Sequence, residues 1–391
     1  MTEIPQTPCF IIREKALRQN ILDFSDALNA LWPHAAVAYS VKTNSLPWIL
    51  RWMNAHQVLA EVVSDDEYRL AELCSFRDEQ IVFNGPVKGA DALAQAARGG
   101  ACINVDSKSD LLLLRKTPPK DPDRVGVRIN IPPSIFDERD VGYQEDGFRF
   151  GFSRENGELR RVLDALAAMF PGARFGLHIH VNSVTRSLNV YRHTARYVAG
   201  IIREYSLQPS FIDVGGGFFG GVPGKPTPME YIRTIREELL GAVDPEKTKL
   251  IVEPGSAAVG SAVELHTTVI DVKDTALARI VTTDGSRIHI DPLWRKKGYL
   301  YSTDAKKPPF PRQVVCGYTC MDHDRLMVLE DEPELAVGDH IFYHRVGNYT
   351  VTFGGPFIKA FPAVYAEEES GDLTLVRRPM DMNDYYRMET C

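Results

Sequence analysis

With 391 residues, 44% of them apolar, the chain exceeds the usual size of one domain, so two domains or one large barrel with an appendage are expected. A formal charge of −7 and a pI near 5.9 argue against nucleic acid or an anionic membrane as a main partner. Residues 1–8 carry no positive segment leading into an apolar run and no stretch reaches the length of a membrane span, which predicts a soluble, cytoplasmic protein.

Thr7-Pro8-Cys9-Phe10-Ile11-Ile12 predicts a short strand, and Glu14 to Leu31 a helix with apolar residues at Leu17, Ile21, Leu22, Phe24, Leu28 and Leu31. A strand-then-helix rhythm follows. Apolar strand runs are Val37 to Val41, Leu59 to Val63, Gln80 to Phe83, Ala101 to Val105, Arg124 to Ile129, Gly176 to Val181, Phe211 to Val214 and Leu250 to Val252. Helical periodicity lies between most of them, as in Asp65 to Cys74, Lys88 to Arg98 and Glu158 to Phe170. Eight parallel strands with crossover helices are what a (β/α)8 barrel requires, with its site at the carboxyl ends of the strands. A doubly wound open sheet is the alternative, but it would normally place a glycine-rich phosphate loop after the first strand.

After Val259 the rhythm changes to strands without long helices: Glu264 to Val272, Ala278 to Thr283, Arg287 to Ile290, Gln313 to Cys316 and His340 to His344. Proline, glycine and aspartate between them predict an antiparallel β domain, with Cys9 to Ile12 as its first strand. The expected division is a barrel over 17–260 and a β domain over 1–16 and 261–391. Pro132 to Phe148 and Asp291 to Arg312 fit no element and read as lids or as surface loops. The six cysteines, Cys9, Cys74, Cys102, Cys316, Cys320 and Cys391, are too sparse for a disulfide scaffold, and Cys316-x-x-x-Cys320 lacks a second pair for zinc, so they read as thiols and no metal is expected.

The predicted strand ends carry the chemistry. Val37 to Val41 delivers Lys42, and an amine leaving an apolar strand loses hydration, which lowers its pKa and makes it a nucleophile for a carbonyl; a snorkelling surface lysine is the plain alternative. Gly176 to Val181 puts His178 and His180 on one inward face, where a core histidine bonded to a carbonyl would also be ordinary. Asp213-Val214-Gly215-Gly216-Gly217-Phe218 ends in three glycines that let backbone N–H groups approach an anion, or simply make a tight turn. Glu253-Pro254-Gly255-Ser256 presents a carboxylate that needs a partner, and a pyridinium nitrogen is a suitable one. In the β region, Gly317 to Asp324 places the thiol of Cys320 in one loop, and Gly347 to Thr350 places Tyr349 in another.

Tyr39-Ser40-Val41-Lys42-Thr43-Asn44 resembles the (Y/F)-(A/S)-V-K-x-N lysine motif of the fold type III pyridoxal-phosphate enzymes, the ornithine/diaminopimelate decarboxylase family. His180 with Ser183, Gly215 to Gly217, Glu253-Pro254-Gly255, Cys320 and Tyr349 follow in that family's order, from Thr7-Pro8 to about Pro362. The resemblance implies that Lys42 binds pyridoxal 5′-phosphate as a Schiff base and that His180 stacks on its ring. It further implies that Ser183, Gly215, Gly216, Gly217, Gly255 and Tyr349 hold the phosphate, that Glu253 meets the pyridine nitrogen, and that Arg128 lies near the cofactor. Glu61, Ser64 and Glu67 are similar to the family's acidic and serine positions after the second strand. An obligate homodimer is implied, in which Cys320 acts across the interface as the acid that returns a proton after carbon dioxide leaves.

Two positions depart from the family. Ser256 stands where an arginine is common, so a hydroxyl replaces a cation at the phosphate. Met321 stands where the ornithine and diaminopimelate enzymes place an acid for the substrate's distal ammonium, with which a methionine cannot pair. Asp322 or Asp324 could replace that acid, although Asp324 better matches a second aspartate of the family, with a structural role. Alternatively, Arg295, Lys296, Lys297, Lys306, Lys307 and Arg312 could hold an anionic tail, unless they form only a solvated basic loop. The expected function is decarboxylation of the Cα carboxylate of an amino acid or amino-acid adduct, as in siderophore or peptide-antibiotic pathways. The alternatives are a plain ornithine, lysine or diaminopimelate decarboxylase, an amino-acid racemase, and a non-catalytic relative.

Overall fold

The computed structural model describes residues 5–296 and 298–388, so Lys297 and Cys391 lie outside the described residues. These divide into two compact units, 20–258 and 5–19 with 259–388. Among the described residues no helix is long and apolar enough to cross a membrane.

In chain order β1 (Cys9–Arg13) belongs to the second unit. The first unit contains β2 (Ala35–Ser40), β3 (Leu59–Val62), β4 (Ile81–Phe83), β5 (Cys102–Val105), β6 (Val125–Asn130), the two-residue β7 (Phe152–Ser153), β8 (Gly176–His178), β9 (Phe211–Asp213) and β10 (Lys249–Val252). All pairings are parallel, and β5–β6 and β10–β2 close the eight strands other than β7 into a barrel, which rules out the open sheet. Several strands end before their apolar runs do. Val41, Ile179 to Val181 and Val214 leave the ladder for turns, and those turns carry the strand-end residues. Lys42 thus sits in a 3₁₀ turn, Val41–Thr43, one step past β2.

The amino-terminal half of the barrel interior is filled by Ala38, Val82, Cys102, Phe211 and Ile251, with Leu59 packed against them. The Phe211 ring requires glycine on two neighbouring strands, because a Cβ at Gly126 or Gly176 would stand 2.7 or 2.2 Å from it. Side-chain caps start the outer helices: Ser64 before Asp65–Leu73, Ser107 before Lys108–Lys116 and Thr227 before Pro228–Leu239 each accept from the backbone three residues on. The segment 132–148 is ordered in the described structure. Its buried Asp140 accepts from the Thr185 hydroxyl and from Ser187 Oγ at 3.2 Å, and Ile135 O lies 2.6 Å from Nδ1 of His193.

The second unit adds β11 (Val263–Asp274), β12 (Arg279–Thr283), β13 (Leu300–Thr303), β14 (Pro309–Cys316), β15 (Arg325–Pro333), β16 (His340–His344), β17 (Ala363–Glu367) and β18 (Leu373–Arg377). The sheet order is β15-β14-β12-β11-β1-β17-β18, with β16 pairing β11 and β13. The sheet is mixed, not purely antiparallel: β1 enters between β11 and β17, antiparallel to the first and parallel to the second, and β12–β14 is also parallel. Phe10 and Phe361 stack in its core at 5.6 Å.

Two expectations are corrected here. Arg287–Ile290 is a helical turn, because Ser286 Oγ accepts from Ile288 N and Asp324 accepts from Arg287 N, so local caps override the strand-like composition. Within 291–312, β13 pairs β16 and β14 pairs β12 and β15, so much of that segment is sheet.

Candidate active site

At the carboxyl end of the barrel, β2 and β3 are in register with Ser40 opposite Glu61. Lys42 Nζ donates to Glu61 Oε2 at 2.7 Å and to Ser40 Oγ at 2.8 Å, and Ser40 Oγ donates to the same Glu61 oxygen at 2.6 Å. Glu61 is buried, which raises a carboxyl pKa, but the Lys42 charge and the hydrogen bonds from Lys42, Ser40 and Asn84 hold it below its ordinary value.

From Glu61 a hydrogen-bonded relay crosses the barrel. Asn84 Nδ2 donates to Glu61 Oε1 at 3.0 Å and to Glu253 Oε1 at 2.6 Å. Asn104 Nδ2 donates to Asn84 Oδ1 at 2.8 Å and to Asp213 Oδ2 at 3.1 Å, and Gly215 N–H donates to Asp213 Oδ1 at 3.0 Å. Glu253 and Asp213 are themselves hydrogen-bonded, and two buried carboxyls in contact cannot both ionise. Burial, then the charges of Asp213 and Glu61, push Glu253 well above its ordinary value; burial pushes Asp213 up to about 6. The pair therefore favours binding a proton between its two carboxyls, while Asn104 and the Gly215 N–H occupy the other side of Asp213.

His178 Nε2 lies 3.9 Å from Glu253 Oε2. Neither ring nitrogen has a hydrogen-bond partner among the described residues, and burial followed by the Arg128 charge keeps the ring neutral. Ligand atoms of His178, Asp213 and Glu253 lie within 4.8 Å of one another, but the carboxyls are already engaged by the shared proton and by Asn84 and Asn104. His180 is neutral as well: burial, then Arg128 and Lys42, bring it to about 3, and Gly216 N–H points at its Nδ1 from 3.3 Å.

The glycine turn is required by its surroundings. Gly215 and Gly217 have φ of +65° and +86°; a Cβ on Gly215 would stand 2.6 Å from the His180 ring, and one on Gly216 2.3 Å from Glu253 O. The N–H groups of Gly215 and Gly216 are used inside the barrel, by Asp213 and His180, which leaves Gly217 as the member of the triplet with an uncommitted N–H among the described residues. Gly255 packs on Thr43, whose Oγ1 a Cβ would meet at 2.1 Å, and Ser256 opens the short helix Ser256–Val259. Arg128 is buried, donates to Asp106 Oδ2 at 3.0 Å and lies 4.4 Å from the Phe150 ring centre. Ser183 Oγ donates to Asp140 O and accepts from Arg186 N, so its hydroxyl also shapes its own turn. Ser64 and Glu67 form a helix cap, with Glu67 Oε2 accepting from Val63 N at 2.9 Å.

The remaining expected residues are in the second unit. Cys320 is exposed, in the loop between β14 and β15, with Met321 half-buried beside it. Asp324 is buried and accepts from Ser286 Oγ, Arg287 N, Thr319 N and Thr319 Oγ1. With both oxygens occupied, it is a loop-forming residue and is not available to replace the acid missing at position 321. Asp322 is exposed and pairs with Arg325 at 3.1 Å. Arg295 is exposed, and Tyr349 has a left-handed φ of 59° at the start of a helical turn. Of the basic loop, Lys296 donates to Ile290 O, Lys307 pairs with Glu334 and Arg312 with Glu330.

Sequence reading missed Asn84, Asn104 and Asp106. All three follow the pattern of polar residues at a strand's carboxyl end, but an amide or an acid there is too common to single out without knowing what it faces.

These residues suit pyridoxal phosphate. An accessible primary amine, a buried carboxyl, a neutral imidazole face and a turn where no Cβ fits all converge at the open end of one barrel. Fold and site together define a pyridoxal-phosphate enzyme of fold type III. Residues 15–260 match the family model described as pyridoxal-dependent decarboxylase, pyridoxal binding domain, and the chain belongs to that family. It is a pyridoxal-phosphate-dependent amino-acid decarboxylase. It is 26% identical over 361 residues to the diaminopimelate decarboxylase of Archaeoglobus fulgidus, covering 88% of this chain and 83% of that one. It is 25% identical over 400 residues to the probable chloroplastic diaminopimelate decarboxylase of Oryza sativa, covering 98% and 79%. The crystal structure of the diaminopimelate decarboxylase of M. jannaschii shares the fold, with a TM-score of 0.85 at 23% identity over 98% of this chain and 92% of that one.

Proposed function

We propose that the chain removes the Cα carboxylate of a free amino acid of the diaminopimelate, lysine or ornithine kind. The observation that carries the decarboxylase chemistry is the buried Glu253 carboxyl at the same barrel mouth as the Lys42 amine, the two joined through Glu61 and Asn84. When bound, the cofactor supplies an electron sink for the pair left behind by carbon dioxide. Lys42 would carry it covalently, through the amine that Glu61 and Ser40 orient. The Glu253 carboxyl would meet the ring nitrogen and hold a proton there, with Asn84 fixing the carboxyl. The neutral His180 ring would stack on the cofactor face, and Gly217, Gly255, Ser256, Ser183 and Tyr349 would contact the phosphate. Arg128 would place a positive charge near the cofactor. Cys320, in a homodimer, would reach the site of a second copy and return a proton to the product.

The choice of a free diamino acid rests on the relatives, of which the diaminopimelate decarboxylases of Archaeoglobus fulgidus and Oryza sativa match 88% and 98% of the chain, and three of the structures of similar fold are complexes with L-lysine. The alternative of an adduct with an anionic tail, as in siderophore or peptide-antibiotic synthesis, loses support from the basic loop, since Lys296, Lys307 and Arg312 already have partners. Carbon dioxide release from diaminopimelate, lysine and ornithine, set against a carboxylate-bearing adduct of 2,3-diaminopropionate, tests the choice. Turnover of the adduct alone would reverse it. Borohydride reduction and peptide mapping test the site, with the pyridoxyl group expected on Lys42.

A further inference from the structure

The amino-terminal mouth of the barrel, opposite the catalytic end, opens into a pocket of about 280 Å³ whose apolar floor includes Leu59, Cys102, Phe211 and Ile251. Its walls bring together His34, Arg124, Arg174, Lys247 and Lys249, each at or just before the start of a barrel strand, against the carboxylate of Asp123. In a chain of net charge −7 this local excess of cations runs against the overall composition.

The pocket's internal partners offset only part of that charge. Asp123 Oδ1 is taken by the backbone N–H of Arg174, not by its guanidinium. Arg174 Nη2 donates to Lys247 O and Arg124 Nη2 to Glu79 O, both backbone carbonyls, and the buried Nε of each arginine has no hydrogen-bond partner among the described residues. Lys247 pairs with Asp244 at the exposed rim, whereas Lys249 has no ion pair among the described residues. The crowding is felt by the groups themselves: burial and then Arg124 lower Lys249, and burial, then Lys249 and Arg174, lower His34. Like charges crowded into a half-buried pocket repel one another, and an anion bound among them offsets the repulsion. Guanidinium and ammonium groups suit the oxygens of a phosphate, and the volume admits such a group but lies below the usual range for drug-sized ligands, about 300–1,000 Å³.

We propose that this pocket is a second binding site, for a small dianionic oxyanion of the phosphate class, separate from the cofactor's phosphate at the glycine turn. Free phosphate and a phosphate monoester share that chemistry. The test is calorimetric titration of the holoenzyme, in which the cofactor occupies the catalytic end, with inorganic phosphate and with glycerol phosphate, using chloride at matched ionic strength as the control. Saturable binding of either phosphate probe is expected, weakened at least tenfold by Lys249→Met. Arg124→Gln, which leaves Lys249 in place, should weaken it likewise and serves if Lys249→Met does not fold. The His34 imidazole, followed by NMR, should titrate at higher pH once phosphate is bound, because the anion offsets Lys249 and Arg174. In phosphate-free buffer Lys249→Met should melt no lower than wild type, since it removes a repelled charge. The proposal is overturned if phosphate binds no better than chloride, or if both substitutions leave its binding unchanged.

Discussion

Oε2 of Glu61 accepts from both the ammonium of Lys42, at 2.7 Å, and the hydroxyl of Ser40, at 2.6 Å, so one buried oxygen sets the position of the only side-chain amine in the turn after β2. Glu61→Gln keeps the shape and removes the charge. Lys42 is 39% exposed, so water offsets much of the loss, and the apoprotein should lose only about 1 kcal/mol. The folded state holds Glu61 below its ordinary 4.5, so its stabilisation is complete above that pH and disappears as the pH falls through the lower folded value. Denaturant unfolding of the apoprotein between neutral and acid pH should therefore separate wild type from Glu61→Gln at neutrality and bring them together in acid. Curves that stay parallel to the lowest pH would contradict the pairing.

The acid pair has the opposite sign. Asp213, raised to about 6, and Glu253, raised well above 4.5, bind protons in the folded apoprotein that the unfolded chain has already released. Stability from this pair is present at low pH and is lost as the pH rises from about 4 through the folded values. Asp213→Asn removes the repulsion and leaves Glu253 a neutral partner. Its apoprotein should lose less stability than wild type between pH 5 and pH 8, read from urea midpoints, and an equal loss in both would remove Asp213 from the account.

Among the described thiols Cys320 is exposed, Cys316 is half-buried, and Cys9, Cys74 and Cys102 are buried, with Cys9 and Cys102 pushed up to about 12 by burial. Brief alkylation near neutral pH should label Cys320 before those four, and peptide mass spectrometry would detect another order. Cys320→Ala should slow turnover and raise the fraction of wrongly protonated, transaminated product; an unchanged rate and product ratio would make the thiol a bystander.

Gly176→Ala places a methyl group 2.2 Å from the Phe211 ring, and overpacking of a closed barrel floor of this kind costs about 1–3 kcal/mol. The melting temperature should fall accordingly, and Phe211→Leu in the same chain should restore part of the loss. If the double variant were no more stable than Gly176→Ala alone, the ring would not be the source of the strain.

The sequence by itself determined the barrel, because eight apolar runs alternating with helical periods are a local pattern that survives any detail of packing. It also marked Lys42, Glu253 and the Gly215 to Gly217 turn, since an amine, a carboxylate and three glycines at the ends of such runs are locally anomalous. Only the tertiary structure decided what these groups face. Asn84 reaches both Glu61 and Glu253, 169 residues away in the second case, and Asn104 reaches Asp213 across 109. Such contacts exist only once β10 closes on β2, and it is the closed, water-poor interior that forces Asp213 and Glu253 to share a proton. The same dependence governs other positions. Asp324, for which the family pattern suggests a structural role, closes a loop through Ser286 and Arg287, partners that the chain alone does not name, and the cations His34, Arg124, Arg174 and Lys249, scattered over more than two hundred residues, meet because parallel strands all begin at one end of a barrel.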